Sequence, residues 1–418
     1  MQNSFVTRSS PRSWRQAGQL KSPTSQSLNF AFASVTQPRT VKSLAISTPE
    51  ISAMTNLTPA ALDRLRGCLW GVFIADALSM PVHWYYDTNV LQRDFGYITD
   101  YQAPKVRHPG SIMSVSNTGG HGRGDQSGKI IGDVINHGKH PFWGKPGVHY
   151  HQGMKAGENT LNALCSRVVI RDIAARGSYD SNSVLSAYIK FMTTPGSHND
   201  TYAESFHRDF FGNWVKGVPP EQCSRGTEGH NTAQIGGFVM LPPVIMSQLG
   251  KGVEVAKQQA MKQLTMTHES KKLAGFTELY IDLLYRLAFE GVELQPALSA
   301  VAQKHLNVDL KKLVDSNYDD IRVVHSVFGS ACYIEDSFPS MLYMAYKYAD
   351  SFEKAVLTNT NVGGENCHRG AALGALMGAA LGESKIPTRF IEGLHDKENI
   401  KKEIDSFVAA LFPTFKEL

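Results

Sequence analysis

Glu365, Asn366, Cys367 and His368 place four chemically active side chains at consecutive positions, between Gly363-Gly364 and the small-residue run Gly370-Ala371-Ala372-Leu373-Gly374-Ala375-Leu376-Met377-Gly378. So many small residues predict a helix packed hard against a neighbour. The polar group then sits at a rigid helix start, where backbone N–H groups point outward. Such a place suits a metal ion, a phosphate or a reactive thiol. The helix dipole, His368 and Arg369 all favour a thiolate at Cys367; a buried inert thiol is the plainer alternative. A second Gly-Glu-Asn stands at Gly157-Glu158-Asn159, followed by Thr160 and another helix-spaced run. Glutamates at helix starts serve as simple caps. If the two starts converge, Glu158, Asn159 and Glu365 offer oxygen ligands to Mg²⁺ or a similar hard cation.

Further candidates lie earlier in the chain. His83 titrates near neutrality and suits acid–base work. Trp84 and Tyr85 offer faces to a base or a sugar, although ordinary packing at a helix end accounts for the same residues. The loop from Asn117 to Lys129 resembles a phosphate loop only superficially, because the glycine spacing is wrong and Ile130 stands where Ser or Thr should follow Lys129. Its backbone N–H groups could still wrap a diphosphate, with His121 and Arg123 as ligand contacts; a plain surface loop is the alternative. His149-Tyr150-His151 is too short a signal for a metal site and reads as loop.

The elements that carry these residues read as helical. Thr58 is placed to cap a helix beginning at Pro59, in which Gly67, Gly71, Ala75 and Ser79 recur every four residues. Gly370, Gly374 and Gly378 repeat the stripe near the other end of the chain. Interior helix glycines cost roughly 1 kcal/mol each against alanine, so close packing must compensate, and the two striped helices are expected to touch. Helical periodicity also marks Thr160–Ala174, Ser183–Met192, Val253–Leu264, Lys272–Phe289 and Ser340–Leu357. Strand-like alternation is scarce. The result is one all-α domain over residues 58–418, with a long Gly-, His-, Pro- and Ser-rich loop from Tyr97 to Gly153.

Composition bounds the function. Of 418 residues, 42% are hydrophobic and 19% charged, as in globular proteins. The formal charge of +4 includes six basic and no acidic residues in 1–49; without them it is −2. A near-neutral body excludes a nucleic-acid footprint. The basic, Ser- and Thr-rich segment 1–55 reads as a transit peptide for a mitochondrion or plastid, or as a disordered extension. Five scattered cysteines with no C-x-x-C pair argue for free thiols. No uncharged apolar run reaches the roughly 18 residues of a membrane span.

In order along the chain, several segments resemble the ADP-ribosylglycohydrolase superfamily, which includes the J1 crystallins. Gly71 through Asp76-Ala77-Leu78-Ser79-Met80-Pro81 resembles its opening Gly-Asp-Ala-Leu-Gly-x-Pro helix. Asn231-Thr232-Ala233 through Pro242 resembles its middle segment, Leu264 through His268 its Leu-Thr-His segment, and Ser351 through Gly364 the lead into its closing metal motif. The resemblance implies an all-α orthogonal helical bundle and hydrolysis of an N- or O-glycosidic bond in an ADP-ribose-type ligand or an ADP-ribosylated protein. It implies Glu158, Asn159, Glu365 and Cys367 at metal positions, Glu158 and Glu365 as acid and base, Asn159 and Thr160 holding the ribose or a ligand water, and Asn231 near substrate. Family aspartates are replaced, however, at Glu158, Asn159, Glu365 and Cys367, and the closing threonine by His368. Cys and His are poor Mg²⁺ ligands. One hard cation between Glu158 and Glu365, a softer ion on Cys367 and His368, or no metal all remain open. The Cys367 position is also similar to a cysteine form of the selenoprotein J branch, which keeps a thiol-based redox role beside a non-catalytic, crystallin-like one.

Overall fold

Thr58 starts the first helix, α1 (Pro59–Ser79), by accepting a hydrogen bond from Ala61 N at 3.1 Å, with Pro59 in the first turn where its missing N–H is not needed. The other helices that build or brace the site are α2 (Leu161–Arg176), α3 (Ser205–Trp214), α4 (Lys271–Tyr285), α5 (Ile334–Lys347), α6 (Phe352–Asn361), α7 (Asn366–Leu381) and α8 (Lys397–Leu411). This computed structural model describes residues 57–114, 130–226 and 232–413. The expected transit segment 1–55 and the candidates His121, Arg123 and Asn231 lie outside the described residues. Residues 53–418 form one compact unit. Among the described residues there is no β-strand, only three isolated bridges.

The centre of the fold is the antiparallel pair α1 and α7. Both are apolar all round, and every residue of 67–80 and 366–379 is buried. The glycine stripes meet as the sequence predicts. A Cβ on Gly67 would lie 2.6 Å from the Gly378 carbonyl oxygen, one on Gly374 would fall on the Gly71 carbonyl, and one on Gly370 would stand 3.1 Å from that of Ala75. Only glycine allows backbones this close. The other helices wrap the pair. Tyr280 of α4 donates to the Ala372 carbonyl at 3.0 Å. On the flank, Arg167 of α2 forks onto Glu403 of α8 at 2.7 and 2.9 Å.

Two predicted helices differ from expectation. Ser340–Leu357 is not continuous: the chain leaves α5 after Lys347, and Ser351 starts α6 by accepting from Lys354 N at 3.2 Å. Helix-spaced apolar residues ran through the break and hid the cap. Lys272–Phe289 ends its α-helical part at Tyr285 and closes as a wider turn over Arg286–Glu290, stopped by Gly291 at φ +67°. Pro59–Val82 has the length and hydropathy of a membrane span, yet 94% of its apolar window is buried inside the fold, as in the core helix of a globular protein.

Candidate functional site

The starts of α2, α3 and α7 converge beside the end of α1. Gly363 and Gly364, at φ +66° and +68°, form the turn before α7 and need to be glycine. Gly364 exchanges backbone hydrogen bonds with the α1 exit, Gly364 N to Tyr85 O at 2.8 Å and Trp84 N to Gly364 O at 2.9 Å. That clamp sets His83 and Trp84 against Glu365, the first residue of the α7 cap, which also accepts from His368 N at 3.4 Å. Glu204 holds the equivalent position before α3. Asn162 is the second residue of α2.

All these groups are buried, Glu365 completely. The Trp84 indole N–H donates to Glu365 Oε2. Glu365 Oε1 lies 3.2 Å from His83 Nε2 and 2.7 Å from His368 Nδ1. His368 Nδ1 is 3.5 Å from Glu204 Oε1. Behind the rings, His83 Nδ1 meets His151 Nε2 at 2.7 Å, and His151 Nδ1 meets Asp200 Oδ1 at 2.8 Å. The Asn162 amide bridges His368 Nε2 and His207 Nε2, each at 2.9 Å, and Tyr188 Oη closes on His207 Nδ1 at 2.6 Å.

Burial and neighbouring charge set the protonation states. Burial disfavours the His368 cation, but Glu365 and Glu204 outweigh it and push His368 up to about 9. Burial likewise opposes ionisation of Glu365, yet His368 and His83 hold its carboxyl well below the usual range. Burial drives His83 down to about 3 against the pull of Glu365. Burial raises Glu204 to about 7; the like charge of Glu365 adds to this while His368 opposes it. Two neighbouring carboxyls pushed apart in this way are a recurrent mark of acid–base sites.

The sequence candidates divide. His83, Trp84, Glu365 and His368 come together. Glu158 does not join them: its half-buried carboxylate accepts from Lys155 N at 2.8 Å and Asn199 Nδ2 at 3.2 Å, in a separate cleft of about 250 Å³ shared with Arg167, His198, His395 and Asp396. One cation between Glu158 and Glu365 is therefore corrected, because each carboxylate is satisfied by its own surroundings. Asn159 and Thr160 turn inward to Asp76: Asn159 Nδ2 donates to Phe73 O at 2.7 Å and to Asp76 Oδ2 at 3.0 Å, and Thr160 Oγ1 donates to Asp76 Oδ1 at 2.6 Å. They fasten the α2 start to α1. The two helix tips do meet, through Asn162 rather than Glu158.

Cys367 takes the plainer of its two readings, the buried inert thiol. It is fully buried against Met80 and Met154, and burial raises its thiol well above the ordinary range, which removes the thiolate a redox role requires. Arg369 points elsewhere, to Asn359 Oδ1 at 2.8 Å and Gly363 O at 2.9 Å, bracing the glycine turn. Alkylation of native protein at pH 8, followed by peptide mapping, is expected to leave Cys367 unmodified until the chain is denatured; rapid native labelling would contradict this placement.

Sequence reasoning missed Glu204, Asp200, Asn162 and His207. None stands in a local motif, and loops and distant helices bring them in. His151 had a weak signal in His149-Tyr150-His151, but only the fold turns its ring onto His83.

The chain matches the ADP-ribosylglycohydrolase family over residues 57–417 and belongs to it. It is 20% identical over 344 residues to crystallin J1A of Tripedalia cystophora, a match covering 79% of this chain and 92% of that protein. A solved structure described as an ADP-ribosylglycohydrolase-related protein complex superposes with a TM-score of 0.52 at 16% identity, covering 85% of this chain and all of the other; that likeness shows the fold.

A pair of Mg²⁺ ions does not fit the residues present. Asn159 and Thr160 are bound to Asp76, Leu161 follows them, and the remaining donors around Glu365 and His83 are imidazoles, one more carboxylate and the Cys367 thiol. Mg²⁺ prefers oxygen ligands in near-octahedral arrangement.

Proposed function

We propose that this chain hydrolyses an N- or O-glycosidic bond in an ADP-ribose-type molecule, free or protein-linked, at the Glu365–His368–Glu204 cluster. Glycoside hydrolysis needs a water made nucleophilic and a proton delivered to the leaving group. The supporting observation is Glu204 Oε1: it is buried, makes no aligned hydrogen bond among the described residues, and faces His368 and Glu365. An acceptor held in that state is ready to receive a water or a substrate hydroxyl. Aromatic rings beside it suit a base or sugar. Trp84 packs edge-on against Tyr150 at 4.6 Å and Tyr202 at 5.0 Å, and Trp143 stacks on Tyr202 at 5.2 Å. Family membership over nearly all of the described fold supports the same reaction class.

A non-catalytic role is the second reading, favoured by how fully Glu365 is paired inside the protein. Chromatographic detection of ADP-ribose released from N- and O-linked ADP-ribosyl substrates separates the two. Release above the buffer rate is expected. Absence of release from every linkage, together with no heat on titration with ADP-ribose, would leave the non-catalytic reading.

A further inference from the structure

The buried cluster gathers two imidazoles and two carboxylates, with His151 and Asp200 behind them. Asp200 accepts from Leu161 N at 2.7 Å, from Tyr202 N at 3.1 Å and from His151 Nδ1 at 2.8 Å. This places the His151 proton on Nδ1. His151 Nε2 lies 2.7 Å from His83 Nδ1. On its other side the His83 ring turns Nε2 to Glu365 Oε1 at 3.2 Å. Across the cluster, Glu204 Oε1 and His368 Nδ1 are both buried and neither makes an aligned hydrogen bond among the described residues, although His368 Nδ1 stands 2.7 Å from Glu365 Oε1 and 3.5 Å from Glu204 Oε1. Buried carboxylates that lack donors are tolerated when a cation is coordinated.

We propose that His83 Nε2, His368 Nδ1, Glu365 and Glu204 bind one divalent transition-metal ion of the zinc class. Their ligand atoms all lie within 4.8 Å of one another, a spread that small side-chain adjustments close around a four-coordinate ion with bonds of about 2.0–2.2 Å. Two imidazoles with two carboxylates select a borderline cation over Mg²⁺. Metal-binding histidines are oriented through their second nitrogen, and both rings have a partner there: His83 has His151 and Asp200, and His368 Nε2 has the Asn162 amide, which accepts from a metal-bound ring once it is turned oxygen-first, with His207 and Tyr188 behind it. A zinc-class ion, when bound, brings the pKa of a coordinated water toward neutrality. The inference deepens the hydrolytic reading of this cluster and rests on it for the purpose of the ion; metal content is measured apart from turnover.

The test uses the full chain, stripped with a chelator and then exposed to zinc or magnesium chloride. Metal per chain is read by mass spectrometry after gel filtration, and stability by thermal melting. One zinc ion per chain and a raised melting temperature are expected, with neither effect from magnesium. Cobalt should give the visible absorption of a four-coordinate nitrogen–oxygen site. Asn162→Ala should weaken zinc binding roughly 10- to 100-fold, and His83→Gln and Glu204→Gln should weaken it further. Circular dichroism checks folding; Glu204→Gln, at a helix cap, serves if His83→Gln fails to fold. Substoichiometric zinc in folded wild type, zinc binding undiminished in these variants, or preference for magnesium would overturn the proposal. Zinc bound without ADP-ribose release leaves the metal site standing and removes the hydrolase reading. Release that persists in chelator does the reverse.

Discussion

Glu365→Gln is expected to lower glycohydrolase activity by roughly 10²–10⁴-fold, the span over which a single positioned proton-transfer group usually contributes. The substitution keeps the shape of the side chain and an acceptor for either the Trp84 indole or the His368 backbone N–H, which meet different oxygens of Glu365. It removes the charge that faces His83 at 3.2 Å and His368 at 2.7 Å. Where the new NH₂ replaces Oε1, it turns a donor toward His368, whose protonated ring has no lone pair to accept it. Breaking one side of a buried charge pair commonly costs about 3–5 kcal/mol, so a lower melting temperature should accompany the loss. Two measurements decide it: release of ADP-ribose by chromatography, and thermal melting at neutral pH. Near-wild-type turnover in a folded Glu365→Gln protein would remove this residue from the chemistry.

Part of this site was legible in the sequence, and the reason is geometric. Glu365 and His368 lie three residues apart at one helix start, so a local motif fixes both. His83 and Trp84 follow Pro81, which ends α1, and the glycine stripe says where α1 must lie. Contact between the striped helices therefore carries the α1 exit to the α7 start. What stayed hidden depends on contacts between residues far apart in the chain. Glu158 and Asn162 both belong to the α2 start, and only the tertiary rotation of that helix decides which one points inward. Asp76 settles it by holding Thr160 N at 2.8 Å and Asn159 Nδ2 at 3.0 Å. Glu204 and Asp200 enter from a stretch with no helical or strand-like pattern. The choice between a reactive and an inert Cys367 stayed open for a related reason: a helix start lowers a thiol's pKa when it is open to water, and periodicity gives no sign that this start is sealed.

Gly374→Ala should destabilise the protein by about 3 kcal/mol, since overpacking costs typically 1–3 kcal/mol and here the obstacle is backbone that cannot rotate away. The expected sign is opposite to ordinary helix propensity, under which the change gains roughly 1 kcal/mol. The added methyl falls on the carbonyl of Gly71 and within 2.8 Å of the Ala75 Cβ. A side chain could swing aside; a helical carbonyl cannot. The two helices must separate or shift. Because α1 leads into His83 and Trp84 while Glu365 caps α7, separation also moves the acidic and imidazole groups apart, and a 1 Å misplacement can cost about 10²-fold in rate. Gly275 in α4 supplies the control. It is exposed, and a Cβ built there meets nothing within 4 Å. Gly275→Ala should therefore stabilise by roughly 0.5–1 kcal/mol through propensity alone. Urea or thermal unfolding of both variants reads the contrast directly. Equal shifts of the same sign would mean that α1 and α7 do not meet glycine to glycine.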